Sequence, residues 1–146
     1  MKITWVIVAF ISGAFLPIQA GLNTRLGKTV ESPVHASLIS FIVGAFAVLL
    51  YSILTKQHVA LAGLRMAPAY VWLGGFLGAF YVTAIILAFP RLGPALTFGI
   101  VVAGQMIMSV VLDHFDILVA QPHPVNVWKL LGIVLIVTGV FIIRKF

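Results

Sequence analysis

Ser32-Pro-Val-His-Ala-Ser-Leu-Ile-Ser-Phe-Ile-Val-Gly-Ala-Phe-Ala-Val-Leu-Leu-Tyr-Ser-Ile-Leu-Thr55 runs for 24 residues between Glu31 and Lys56 without a charged side chain. About 20 apolar residues, wound as an α-helix, cross a hydrocarbon core of ~30 Å. The inner part, residues 41–50, does not alternate between apolar and polar. A barrel strand requires that alternation over about ten residues, so the run reads as a membrane helix. Ser32 before Pro33 marks its start, because proline suits the first turn.

The same reading extends outward. Uncharged runs of 22 residues separate Lys2 from Arg25, 25 separate Arg65 from Arg91, and 21 separate Arg91 from Asp113. Only 14 residues lie between Lys129 and Arg144, so the last helix spans only if Lys129 snorkels to an interface. The predicted spans are 3–22, 33–54, 70–89, 94–112 and 125–143, with the longest loop from about Thr55 to Ala69. The fold class is an all-α integral membrane protein, with residues 1–146 as a single transmembrane domain. Residues 1–20 share features with a signal peptide, but bulky Ile18 stands where a small residue would precede cleavage, so the segment reads as a retained helix.

Composition agrees. Of 146 residues, 62% are apolar and 8% charged, too few to cover a soluble surface, which carries about 25%. The net charge of +6 comes from basic residues scattered one to three at a time between apolar runs, with no stripe suited to nucleic acid. The lack of cysteine excludes thiol catalysis and thiolate metal sites.

Five spans put the termini on opposite sides. Lys2, Lys56, Arg65 and Lys129 fall on one side, and Arg25, Lys28, Arg91, Arg144 and Lys145 on the other. Orientation normally follows a Lys/Arg excess in cytoplasmic loops, and four against five is almost none. The expectation is dual topology, with two chains pairing antiparallel into a ten-helix unit. Such inverted repeats hold a substrate near mid-membrane. The competing expectation is one-way insertion tipped by a single charge.

Ser12, Gln19 and Asn23 share a face of the first span, beside Pro17, which cannot donate its backbone hydrogen bond and is the candidate hinge. Gly44 in the second span and Gly74, Gly75 and Gly78 in the third form smooth surfaces for helix packing. Tyr81 lies deeper in the third span, where a phenol needs a partner. Gln105, Ser109 and Asp113 make a polar stripe on the fourth, with Gln105 near its centre and Asp113 toward the rim. Gln19, Asn23, Tyr81 and Gln105 are the candidate substrate contacts, and Asp113 the candidate coupling group. The plainer readings are interhelical hydrogen bonds worth ~0.6 kcal/mol and a solvated helix-end charge. Asp113, His114, Asp116 and His123 match no metal-ligand spacing, and no nucleophile lies beside a base, so no metal, cofactor or catalytic activity is expected. No acidic residue falls in the central half of a span, which favours a neutral, zwitterionic or weakly anionic solute over a lipophilic cation.

Leu16-Pro-Ile-Gln-Ala-Gly-Leu-Asn-Thr-Arg-Leu-Gly27, Ser32-Pro-Val-His-Ala-Ser-Leu-Ile-Ser-Phe-Ile-Val-Gly44, Gly75-Phe-Leu-Gly-Ala-Phe-Tyr-Val82 with Pro90-Arg-Leu-Gly93, and Val102-Ala-Gly-Gln-Met106 with Leu112-Asp-His-Phe115 together resemble the small YdcZ-type family of the drug/metabolite transporter superfamily. The resemblance covers nearly the whole chain. It implies a five-span half that pairs antiparallel with a second copy or a paralogue, in the bacterial inner membrane. The expected function is secondary transport of a small organic solute by alternating access. The alternatives are a proton-coupled multidrug cation exporter using Asp113 or Glu31, and a non-transporting membrane subunit. The expected partners are the lipid bilayer, a small-molecule substrate and the second chain.

Overall fold

A computed structural model describes residues 2–57, 61–118 and 125–146. Seven helical elements occur among them: α1 (Lys2–Thr29), α2 (Pro33–Leu54), a short α3 (Leu61–Met66), a 3₁₀ turn (Ala69–Trp72) that leads into α4 (Leu73–Leu92), α5 (Pro94–Phe115) and α6 (Val127–Lys145). Five are long and apolar enough to cross a membrane, the third counted from Ala69 to Leu92.

The predicted spans sit within or close to these helices, and the differences at their ends have physical causes. Span 33–54 coincides with α2. Pro33 occupies the first turn, and Ser32 Oγ accepts the His35 N–H at 3.2 Å, so the start is locked by a cap. Span 3–22 is too short: α1 continues seven residues beyond Leu22, giving a helix about 42 Å long at 1.5 Å per residue. Leaving the hydrocarbon does not end a helix, and nothing between Asn23 and Thr29 breaks one. The 70–89 span runs on through Pro90 to Leu92, because a proline in the last turn forfeits only one hydrogen bond. The 94–112 span continues to Phe115, where Asp116 closes the helix in the left-handed region at φ 55°. The 125–143 span starts later, at Val127, because Asn126 Oδ1 caps the Lys129 N–H at 2.8 Å. Part of the predicted loop between Thr55 and Ala69 is the short helix α3.

Packing divides the chain into two compact units, Met1–Pro90 and Arg91–Phe146. In the first, α1 packs against α2. Ala20, Asn23, Thr24 and Gly27 are buried on one face of α1, Ala36 and Ser37 on α2, and Ile85 and Ile86 on α4. Gly27 is the tight point: a Cβ there would stand 3.4 Å from Ile86 Cγ2 and 3.6 Å from Ala36 Cβ. The Thr83 hydroxyl shares its proton between Ser37 Oγ (2.9 Å) and the Ala79 carbonyl (2.8 Å), which ties α4 to α2. The N-terminal half of α1 is exposed throughout.

In the second unit, α5 and α6 form an antiparallel hairpin. At one end a Cβ on Gly99 would meet Val140 Cγ2 at 3.1 Å. At the other, Lys129 Nζ lies 2.9 Å from Asp113 Oδ2. Gly93, at φ 77°, supplies the single residue between α4 and α5, a conformation only glycine takes without strain.

Candidate functional site

Two crevices flank α1. The first, of about 450 Å³, is lined by Gln19 of α1, Ser40, Phe41, Gly44 and Val48 of α2, and Val82 of α4. Each side chain has a local reason to be there. Gln19 falls on the α1 face opposite the row Pro17, Gly21, Thr24 and Lys28, as 100° per residue requires. Ser40, Gly44 and Val48 recur every four residues and so form one line on α2. Gly44 has no side chain to fill the space, and a Cβ there would meet nothing within 4 Å. The walls are mostly apolar, with the Gln19 amide and the Ser40 hydroxyl as the polar groups. That mix of apolar lining and sparse, convergent polar groups suits a small organic molecule.

The candidate contacts are distributed as follows. Gln19 is exposed and lines this crevice. Asn23, one turn further along α1, is buried with 7% of its surface exposed. Tyr81, beside Val82 on α4, is half-buried, and its hydroxyl is closed off and has no hydrogen-bond partner among the described residues. An orphaned buried hydroxyl is unfavourable by ~1–3 kcal/mol, so it marks a place where a further polar group would be welcome. Pro17 lies inside a continuous α1, where it leaves the Gly13 carbonyl without its helical donor. Gln105 is exposed on α5, in the second unit.

Of the four packing glycines, Gly78 meets the Phe41 ring, 3.8 Å from where a Cβ would be. At Gly44, Gly74 and Gly75 a Cβ would meet nothing within 4 Å among the described residues. Asp113 lies near the C-terminal end of α5. It is held by Lys129, with about a quarter of each side chain exposed. This pair also places Lys129 against protein, rather than reaching freely to water. Among the described residues no three metal-ligating side chains converge; His123 lies outside them.

The second crevice, of about 500 Å³, was not legible in the sequence. It lies between the C-terminal halves of α1 and α4 and is lined by Pro17, Gly21, Thr24, Arg25 and Lys28 of α1 with Phe89 of α4. Basic residues at the end of a span have an ordinary role as interfacial anchors, which hid them. The Thr24 hydroxyl beside it is closed off and has no hydrogen-bond partner among the described residues.

The family described as "Putative inner membrane exporter, YdcZ" matches residues 4–142. The chain is similar to the inner membrane protein YdcZ of Escherichia coli (strain K12), with 31% identity over 141 residues, 92% of this chain and 90% of that protein. No solved structure matches it significantly.

Proposed function

Because the chain belongs to the YdcZ family of inner membrane exporters, and so is a multi-pass inner membrane protein, we propose that it moves a small organic solute outward by alternating access, as one half of an antiparallel dimer. The observation that carries this reading is the crevice beside Gln19. It has a polar group at its wall, a glycine floor at Gly44 and an open side. An inverted second copy would close that side and double its polar groups.

Two further features support it. Gly44, Gly74 and Gly75 present smooth surfaces with nothing within 4 Å of a Cβ among the described residues, which suits close approach by another helix. The Lys/Arg distribution favours neither orientation, which suits a chain that inserts both ways. In this reading Gln19, Asn23 and Tyr81 contact the solute, and Gln105 is a further contact on its polarity. Pro17 provides the local flexibility for α1 to move, because its missing hydrogen bond weakens the helix there. The solute is neutral, zwitterionic or weakly anionic, since no carboxylate stands in the central half of a span to recognise a cation. Asp113 is already engaged with Lys129, so it acts as a clamp of the α5–α6 hairpin rather than as a proton carrier.

The test is solute flux in liposomes holding only this purified chain, with solutes first selected by thermal shift. Flux that requires both insertion orientations and falls in Gln19→Ala bears the reading out. Flux only on addition of a second, different chain assigns it the role of a subunit. Flux from a chain trapped in one orientation removes the antiparallel dimer.

A further inference from the structure

We propose that the Gln19 crevice selects an uncharged aromatic amide: a flat ring packs on Phe41, and its carboxamide pairs with the Gln19 side chain and the Ser40 hydroxyl. This narrows the solute class, and it rests on the reading of that crevice as the transport site.

Charge is excluded by the surroundings. Among the described residues that line the crevice, none is ionisable. Along α2 it runs from Ser40 to Val48, so Glu31 and Lys56 lie eight or more residues away, about 12 Å at 1.5 Å per residue. On α4, Val82 stands nine residues before Arg91. Arg25, the nearest charge to Gln19 along α1, lines the other crevice. An ion here would give up hydration and meet no counter-charge, so it is disfavoured. The neutral members of the solute class remain.

The polar groups that are present specify an amide. Ser12 of α1 and Ser37 of α2 donate to the carbonyl four residues earlier. Ser40 makes no such bond, and among the described residues neither its hydroxyl nor the Gln19 amide has a hydrogen-bond partner. Both residues reach the surface of the crevice, Gln19 exposed and Ser40 half-buried. A carboxamide carries an acceptor and a donor side by side, so a second amide meets it through two parallel hydrogen bonds. The Ser40 hydroxyl can serve the solute as donor or acceptor. Phe41 supplies the flat wall. Its Cζ lies 3.8 Å from where a Cβ on Gly78 would be, so the tip of the ring is seated against α4, and 41% of the residue stays exposed. Aromatic rings favour offset or edge-on contact with a second ring over contact with an aliphatic chain.

The test is equilibrium dialysis of the purified chain in lipid nanodiscs, with empty discs subtracting what dissolves in the bilayer. The probes form a matched set. Benzamide has the full pattern. Benzoate and benzylamine replace its amide with an anion and a cation. Acetophenone keeps the carbonyl without the N–H, and cyclohexanecarboxamide keeps the amide without the flat ring. Benzamide should bind at least ~10-fold more tightly than benzoate or benzylamine. Acetophenone and cyclohexanecarboxamide should each bind about three- to tenfold more weakly than benzamide. Gln19→Leu should erase the preference for benzamide over acetophenone, and Phe41→Leu the preference over cyclohexanecarboxamide. Both are ratios within one sample, so a partly unfolded variant does not mimic them. Any other probe binding as tightly as benzamide overturns the proposal. So does benzamide binding no better than to empty discs, or either ratio surviving in its variant. The transport reading fails separately, when benzamide binds but liposomes holding the chain move no solute. If solute is moved and benzamide neither binds nor competes, only the assignment to an aromatic amide falls.

Discussion

Asp113 and Lys129, sixteen residues apart in sequence, meet at 2.9 Å and join the end of α5 to the beginning of α6. Each side chain keeps about a quarter of its surface exposed, so the pair sits between a fully solvated bridge and a buried one. Exposed pairs contribute ~0.2–1 kcal/mol. Removing one member of a buried pair is more harmful, because it strands a charge.

The first prediction follows from that asymmetry. Asp113→Asn should lower thermal stability in detergent by an amount equivalent to about 1 kcal/mol, and Asp113→Asn/Lys129→Gln should recover part of it. If the pair acts as a clamp, transport should persist within about threefold. Abolished flux in Asp113→Asn with the folded fraction intact would instead make Asp113 the coupling group.

The number of helices was readable from charges because a long uncharged run has one inexpensive destination, the bilayer. The ends were readable only where a side chain enforces them. Ser32-Pro33 set the start of α2 in advance, whereas α1 outran its apolar segment because Asn23 to Thr29 continue a helix as readily in the headgroup region. Gln19 stood out as a polar residue in a span, but its partners Ser40 and Val82 depend on how α2 and α4 are rotated against α1, which no single-helix pattern contains. Asp113 and Lys129 were each placed near a rim, yet their pairing is a property of the hairpin. Thr24 was invisible for a different reason: its distinguishing feature is a hydrogen bond that it does not make.

A second prediction concerns the polar wall of the crevice. A hydrogen bond to solute contributes ~0.5–1.5 kcal/mol net, so Gln19→Ala should reduce solute affinity up to about tenfold. Gln105→Ala should also lower flux while leaving the dimer intact. Measured by solute titration and liposome flux on size-matched samples, wild-type behaviour in either variant removes that residue from the site.

The glycines separate intrachain packing from pairing. Gly99→Leu should destabilise the isolated chain, because even its Cβ would press on Val140 at 3.1 Å and overpacking is unfavourable by ~1–3 kcal/mol. A Cβ at Gly44 or Gly75 meets nothing within 4 Å among the described residues, so in Gly44→Leu and Gly75→Leu monomer stability should hold while the cross-linked dimer fraction falls severalfold. The expected contrast is between thermal stability in Gly99→Leu and association in the other two. Undiminished dimer in both Gly44→Leu and Gly75→Leu places the partner elsewhere.

The last prediction tests insertion directly. With four basic side chains on one face of the membrane and five on the other, a C-terminal reporter pair, one active inside and one outside the cell, should give signal from both. A small added excess should then decide the matter. Gln57→Lys combined with Met66→Lys, at two exposed positions on the N-terminal side, gives six against five, and Phe146→Lys, at the exposed C-terminus, gives four against six. Each variant should insert predominantly one way, in opposite senses, and each should be inactive alone because it lacks an inverted partner. Expressed together they should recover flux. This rescue distinguishes lost pairing from damaged protein, since none of these residues lines either crevice and a misfolded chain would not be repaired by its counterpart. Full activity from either variant alone, with its reporter confined to one side, would show that parallel chains or a monomer suffice.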